Sequence, residues 1–199
     1  MSEFWNEKFS TNTFYYGQEP NKFVKEESYR IHPNSNILCL AEGEGRNGVF
    51  LAGQGHFVTC VDLSDIGLQK TKSLATQNNT SVETVHSDIF GYSPSKKFDV
   101  AICTFLHLDY VKLKIFCEKL FGMLDENGLF IGQFFTKDQL GKSSGGPQDQ
   151  NLLYDPNVLG KAFKNAGFDL LKLVAKDEEL SEGEGHVGTA SLVSIVAKK

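Results

Sequence analysis

From Asn36 onward, short apolar runs alternate with segments whose apolar residues recur at helical spacing. Residues 37–41 (Ile-Leu-Cys-Leu-Ala) are unbroken apolar, which predicts a strand buried on both faces, as in a parallel sheet. Residues 46–54 carry Val49, Phe50 and Ala52 and predict a helix that Gly53 and Gly55 end. A second strand is expected over 56–61, ending in Asp62. Ser64 is then a suitable N-cap for a helix over 65–77, with Ile66, Leu68, Thr71, Leu74 and Ala75 on its inner face. Further strands are expected over 82–86, 98–105 and 129–135. A helix over 109–124 carries Tyr110, Leu113, Cys117, Leu120 and Leu124 at helical spacing. A helix over 156–166 follows, and then strands over 168–174 and 188–197, separated by the acidic segment 177–184. With no helix between them, those two strands should pair antiparallel.

The alternation predicts an α/β fold: a Rossmann-like three-layer sandwich around a mostly parallel sheet with an antiparallel terminal hairpin. Ligands in such sheets bind outside the carboxyl ends of the strands, where strand order reverses. Residues 1–30 stand apart as an aromatic-rich arm (Phe4, Trp5, Phe9, Phe14, Tyr15, Tyr16, Phe23, Tyr29), with residues 31–199 as a single domain. Pro20 can open a short helix through Glu27. The arm reads either as packing on the core or as a lid, with Tyr15-Tyr16-Gly17 the best-placed part. The Gly-rich stretch 136–154 is long enough to suggest a functional or mobile loop.

Composition narrows the function. The chain has 199 residues, 40% hydrophobic and 23% charged, with a net charge of −5. That balance disfavours nucleic acid as a partner, because phosphate neutralisation needs clustered Lys and Arg. The start of the chain lacks the pattern of a signal peptide and no apolar run has membrane-spanning length, so a cytoplasmic monomer acting on a small molecule is the expectation. The four cysteines (Cys39, Cys60, Cys103, Cys117) form no C-x-x-C and sit in apolar runs, so they read as core residues. The histidines show no metal-ligand spacing, and no metal is expected.

The chemistry concentrates at the strand ends. Gly43, Gly45 and Gly48 spell G-x-G-x-x-G, the dinucleotide pattern. However, Glu42 and Glu44 flank the first glycine. Two carboxylates there would repel a pyrophosphate and suit a ligand carrying an ammonium and a sulfonium. S-adenosylmethionine has both, and its carboxylate could be held by Arg46 or the helix start. Asp62 lies 19 positions after Gly43, the spacing at which an acid accepts ribose hydroxyls. Asp88 with Ile89 could serve the adenine, and Thr104, Phe105 and His107 follow the fourth strand. Gly48 reads as a close-packing residue of the helix rather than a phosphate contact.

These residues resemble a known family. Ala41-Glu42-Gly43-Glu44-Gly45-Arg46-Asn47 and residues 55–64, ending Asp62-Leu63-Ser64, are similar to class I S-adenosylmethionine-dependent methyltransferases. The leader Trp5…Phe9…Tyr16-Gly17-Gln18-Glu19-Pro20 and the tail Glu182-Gly183-Glu184-Gly185-His186 look like the small bacterial branch related to tellurite-resistance and thiopurine methyltransferases. The resemblance implies a seven-stranded sheet with the last strand inserted antiparallel. It implies that Glu42, Gly43, Glu44 and Gly45 contact the methionine part, Asp62 the ribose, and Asp88 with Ile89 the adenine. Tyr16 and the leader would cover the pocket, and His186 is the candidate catalytic group. Arg46, Asn47, Leu63, Ser64, Ser87, Thr104 and Phe105 are further candidates for cofactor binding. Basic residues often follow that histidine in those relatives. Here Val187-Gly188-Thr189 follow, which speaks against an anionic substrate. The expected activity is methyl transfer to a small S, Se/Te, O or N nucleophile. Two alternatives remain open: a non-catalytic module that binds S-adenosylmethionine, and an NAD-dependent oxidoreductase that the literal glycine pattern would allow.

Overall fold

The apolar run at Ile37 lies near the centre of a seven-stranded sheet. A computed structural model of the chain describes residues 2–199; Met1, the first residue of the expected arm, lies outside the described residues. The strands are β1 (Asn36–Leu40), β2 (Phe57–Asp62), β3 (Glu83–His86), β4 (Phe98–Thr104), β5 (Leu124–Phe135), β6 (Asp169–Glu182) and β7 (His186–Lys198). Their order is β3-β2-β1-β4-β5-β7-β6. The first five pair in parallel, and β7 runs antiparallel between β5 and β6. The α/β sandwich with its antiparallel terminal hairpin is therefore the observed fold.

Side chains alternate across a strand, which explains why the β1 run has no polar break. Leu38 and Leu40 enter the core on one face, with α5 (Tyr110–Met123) and α6 (Pro156–Asn165). Ile37 and Cys39 enter the core on the other, with α2 (Lys22–Glu27), α3 (Arg46–Gly53) and α4 (Asp65–Gln77). All four cysteines are free and buried, as their apolar context suggested. The sheet order reverses beside β1, so the glycine stretch after β1 faces the crevice between β1 and β4.

Several boundaries differ for physical reasons. β1 ends at Leu40 because Ala41 turns out of the strand with φ +52°. Tyr110 is exposed rather than on the inner face of α5. The acidic segment expected between the last strands is mostly strand: Asp177 to Glu182 pair residue for residue with His186 to Ser191. Its positions alternate between exposed and buried, but two of the three inward ones are Glu178 and Glu182, so it carries no apolar signature. The arm holds a helix that sequence patterning did not reveal, α1 (Ser2–Phe9), ahead of α2, which Asn21 caps. The 136–154 loop is tied down at its base. Tyr154 N–H donates to Phe135 O and Lys137 N–H to Tyr154 O, while buried Gln139 bonds Ser144, Gly145 and Ser191.

Candidate active site

The chain leaves β1 through three left-handed residues, Ala41, Gly43 (φ +63°) and Gly45 (φ +92°). Gly45 is the N-cap of α3. The turn is closely covered by protein, which glycine permits and a Cβ would obstruct: one on Gly43 would stand 3.2 Å from the Phe9 ring and one on Gly45 2.6 Å from Thr71. Asp62, at the end of β2, accepts hydrogen bonds from Gly43 N–H (2.8 Å) and Ser64 N–H (2.7 Å). Burial raises its carboxyl above the ordinary range, against the pull of these N–H groups. Ser64 caps α4 as expected, accepting from Gly67 N–H at 3.0 Å.

The two glutamates are not arranged as the sequence argument supposed. Glu42 turns inward and accepts from Gly48 N–H at 2.7 Å, filling an otherwise unmet donor in the first turn of α3. It lies against the thiols of Cys39 and Cys60, and burial pushes its carboxyl up to about 7. Glu44 accepts from Tyr15 N–H (2.8 Å) and binds Lys70 Nζ (2.7 Å). Both carboxylates already have protein partners. A free helix terminus and the arm's backbone compete for them, and spacing alone does not reveal that competition. Arg46 is likewise engaged: it pairs with Glu182 at 2.9 Å. Asn47 accepts from Asn21 N–H and donates to Thr104 Oγ1.

The third wall is more open. Ser87 N–H donates to Asp62 O, placing the end of β3 beside that acid. Asp88 is exposed and uses Oδ1 to accept from Phe90 N–H, so it is both a turn cap and a reachable carboxylate. Ile89 is half-buried next to it, and Leu63 O contacts His86 Nε2 at 2.9 Å.

Three segments meet over these strand ends. The arm turn at Tyr15–Gly17 locks onto the β6–β7 turn, where Glu184 N–H and Gly185 N–H both donate to Tyr15 O. The approach needs glycine: a Cβ on Gly185 would stand 2.3 Å from the Tyr16 ring. The 136–154 loop contributes Gly145, where a Cβ would stand 2.5 Å from the His186 ring. His186 sits between them, 3% exposed, with ring centroids 4.4 Å from Tyr16, 4.3 Å from Phe105 and 5.3 Å from Phe135. Phe105 holds φ +56°, a strained conformation for a bulky residue, at the end of β4. His107 has a buried Nδ1 without a partner among the described residues, and burial holds it down to about 4. The structure thus gathers Tyr16, Arg46, Asn47, Thr104, Phe105 and His186 in one enclosure. Asp62, Leu63, Ser64, Ser87, Asp88 and Ile89 flank it.

Comparison with known proteins places this geometry. Residues 37–128 match the family profile described as a methyltransferase domain. Over that stretch, somewhat less than half of its length, the chain is similar to methyltransferase domains. An uncharacterized methyltransferase, YbaJ of Bacillus subtilis (strain 168), is 26% identical over 117 residues, covering 58% of this chain. The match spans 46% of that relative, less than half its length. Among solved structures, one from work on converting a disulfide bond into a thioacetal group during echinomycin biosynthesis superposes with TM-score 0.81 at 13% identity. It is matched by all of this chain over 89% of its own length. TehB from Haemophilus influenzae gives 0.72 at 18% identity, with all of this chain on 66% of that one. The N-methyltransferase NodS from Bradyrhizobium japonicum WM9, in complex with S-adenosyl-L-homocysteine, gives 0.73 at 10%, covering 100% and 97%. These structural likenesses concern the fold. Among the described residues, no helix is long and apolar enough to cross a membrane.

Sequence reasoning assigned no role to Glu182, Asn21, Lys70 or Asn6, all of which the site uses. Glu182 had a signal, since a carboxylate four positions before a candidate base can meet it across a tight turn. The others reach the site across 26 or more positions of sequence, and nothing local marks them.

Proposed function

We propose that the chain transfers the methyl group of S-adenosylmethionine to a small-molecule nucleophile. The observation that carries this reading is Asp62: two backbone N–H groups fix its carboxylate at the end of β2, beside the Gly43–Gly45 main chain. A carboxylate has about four lone-pair sites, so two remain for ribose hydroxyls. The residues fit the cofactor in other respects. Main chain at Gly43 and Gly45 meets the methionine part, and Asp88 with Ile89 offers an acceptor and an apolar flank for adenine. Arg46 acts through its pairing with Glu182 rather than as a free cation.

When bound, the cofactor supplies an electrophilic methyl group on a good neutral leaving group. The chain's own residues then need to align the nucleophile and exclude water. The rings of Tyr16, Phe105 and Phe135 pack against the His186 ring, and aromatic faces favour diffuse positive charge. This tight enclosure suits a small substrate better than a polymer.

The arm acts as a lid in this reading. The Phe9 ring lies 3.2 Å from where a Gly43 Cβ would stand. Asn6 bonds Ser64 and Asp65 above the ribose side. Cofactor entry therefore requires α1 to lift and close again.

Turnover tests the proposal. Release of S-adenosylhomocysteine is measured against thiophenol, 2-mercaptoethanol, catechol and aniline. Turnover of at least one, lost in His186→Gln, is the expected result. Saturable cofactor binding without transfer to any nucleophile in a widened panel would favour a non-catalytic binding module instead.

A further inference from the structure

The carboxylate of Glu182 is shared by three segments. Its Oε2 contacts His186 Nδ1 at 2.8 Å and Arg46 at 2.9 Å, and its Oε1 accepts from Asn21 Nδ2 at 3.2 Å. The carboxylate is thus anchored from α3 and the arm, with its side chain 11% exposed. A carboxylate can only accept, so the Nδ1 position facing it carries the proton. The other ring nitrogen, Nε2, makes no hydrogen bond among the described residues. Gly145 passes beside it without a side chain; a Cβ there would stand 3.3 Å from Nε2.

We propose that Glu182 is a positioning residue: it holds His186 in the Nδ1–H form, so that Nε2 presents a lone pair to the nucleophile as a general base. This rests on the methyl-transfer reading and narrows the substrate to a nucleophile that carries a proton, an S–H, O–H or N–H group. Nε2 takes that proton as the nucleophile's electron pair forms the bond to the methyl carbon. The methyl–sulfur bond breaks with its electrons going to sulfur, which becomes a neutral thioether. The resulting imidazolium is then paired with the Glu182 carboxylate.

The charge states agree with this role. Burial would raise Glu182, but the His186 hydrogen bond and the Arg46 charge hold it down at about 2, so it is ionised. Burial lowers His186, and this outweighs the opposing pull of Glu182, so the imidazole is neutral near pH 7. The charged and titratable groups facing His186 are Glu182, Arg46 on α3, Lys8 on α1, Tyr16 in the arm and His107 after β4. Glu182 is the only carboxylate among them that bonds the ring.

The test reads the tautomer directly. Two-bond proton–nitrogen correlation spectra are recorded on the full chain labelled with ¹⁵N-histidine, with His186→Gln giving the assignment. The wild-type ring is expected as Nδ1–H with Nε2 unprotonated, and Glu182→Ala should move it toward Nε2–H. A wild-type Nε2–H ring, or an unchanged ring in Glu182→Ala, overturns the inference. Should the alanine variant fail to fold, the isosteric Glu182→Gln is used with the pH dependence of turnover. Losing the carboxylate should move the acid limb of kcat/KM to lower pH and lower kcat roughly tenfold to a hundredfold. An unmoved limb overturns the inference. The spectra need neither cofactor nor substrate. An Nε2–H ring in an active enzyme therefore overturns this inference alone. An Nδ1–H ring in a chain that binds no S-adenosylhomocysteine overturns the functional reading.

Discussion

The substitution Gly183→Ala should unlatch the arm without disturbing the sheet. Gly183 adopts φ +59°, and a Cβ there would stand 2.4 Å from Tyr15 O and 2.5 Å from Gly17 N. Both neighbours are backbone, so no rotamer change can relieve the contact. The left-handed conformation costs an alanine about 1 kcal/mol. Separating the two turns also breaks the Glu184 N–H and Gly185 N–H bonds to Tyr15 O, now 2.9 and 3.0 Å. Each contributes about 1 kcal/mol. The sum, about 3 kcal/mol, corresponds to roughly a hundredfold shift between docked and undocked arm. Hydrogen exchange followed by mass spectrometry reads this locally. Amides of residues 2–17 should exchange roughly a hundredfold faster in the variant, while those of β1, β4 and β5 keep their protection. Arm exchange within threefold of wild type would refute the reasoning. A uniform loss of protection across the sheet would show that the latch is part of the global fold.

Three further substitutions probe the ground beneath the site. Glu42 has its folded-state carboxyl raised to about 7 from an ordinary 4.5, so its protonated form favours the folded state. That stability is fully present below pH 4.5 and is lost as pH rises through 7. Glu42→Gln should therefore flatten the pH 5–8 decline in urea-unfolding free energy by on the order of 3 kcal/mol. Gly48→Ala places a Cβ 2.5 Å from Cys60 Sγ and should cost about 1–3 kcal/mol, with Cys60→Ala restoring much of the loss in the double variant. Ala41→Gly should raise stability by about 1 kcal/mol, because Ala41 sits at φ +52°; a denaturation midpoint at or below wild type would contradict this.

What was legible in the sequence follows from where each residue sits. Helix α4 runs from Asp65 to Gln77 with Ser64 as its cap, as its apolar spacing indicated. β1 could be read because both its faces are buried, and Asp62 because strand length and loop length fix its distance from the glycines. The acidic half of β6 could not be read, since only Leu180 of its inward positions is apolar, the others being Glu178 and Glu182. The loop glutamates show a different limit. Their positions beside Gly43 were clear, but the direction of each carboxylate is decided by donors elsewhere: Gly48 N–H for Glu42, and Tyr15 N–H and Lys70 for Glu44. The enclosure around His186 depends on the arm, the β6–β7 turn and the 136–154 loop meeting. No local pattern records that meeting, although the glycines at 145, 183 and 185 mark where it occurs.

Titration calorimetry of the full chain with S-adenosylhomocysteine tests the central claim most directly, with NADH as the control. The account predicts a saturable one-to-one heat for the adenosyl ligand, none for NADH, and a clear loss of affinity in Asp88→Asn. No heat at millimolar S-adenosylhomocysteine, or a response to NADH alone, would contradict it.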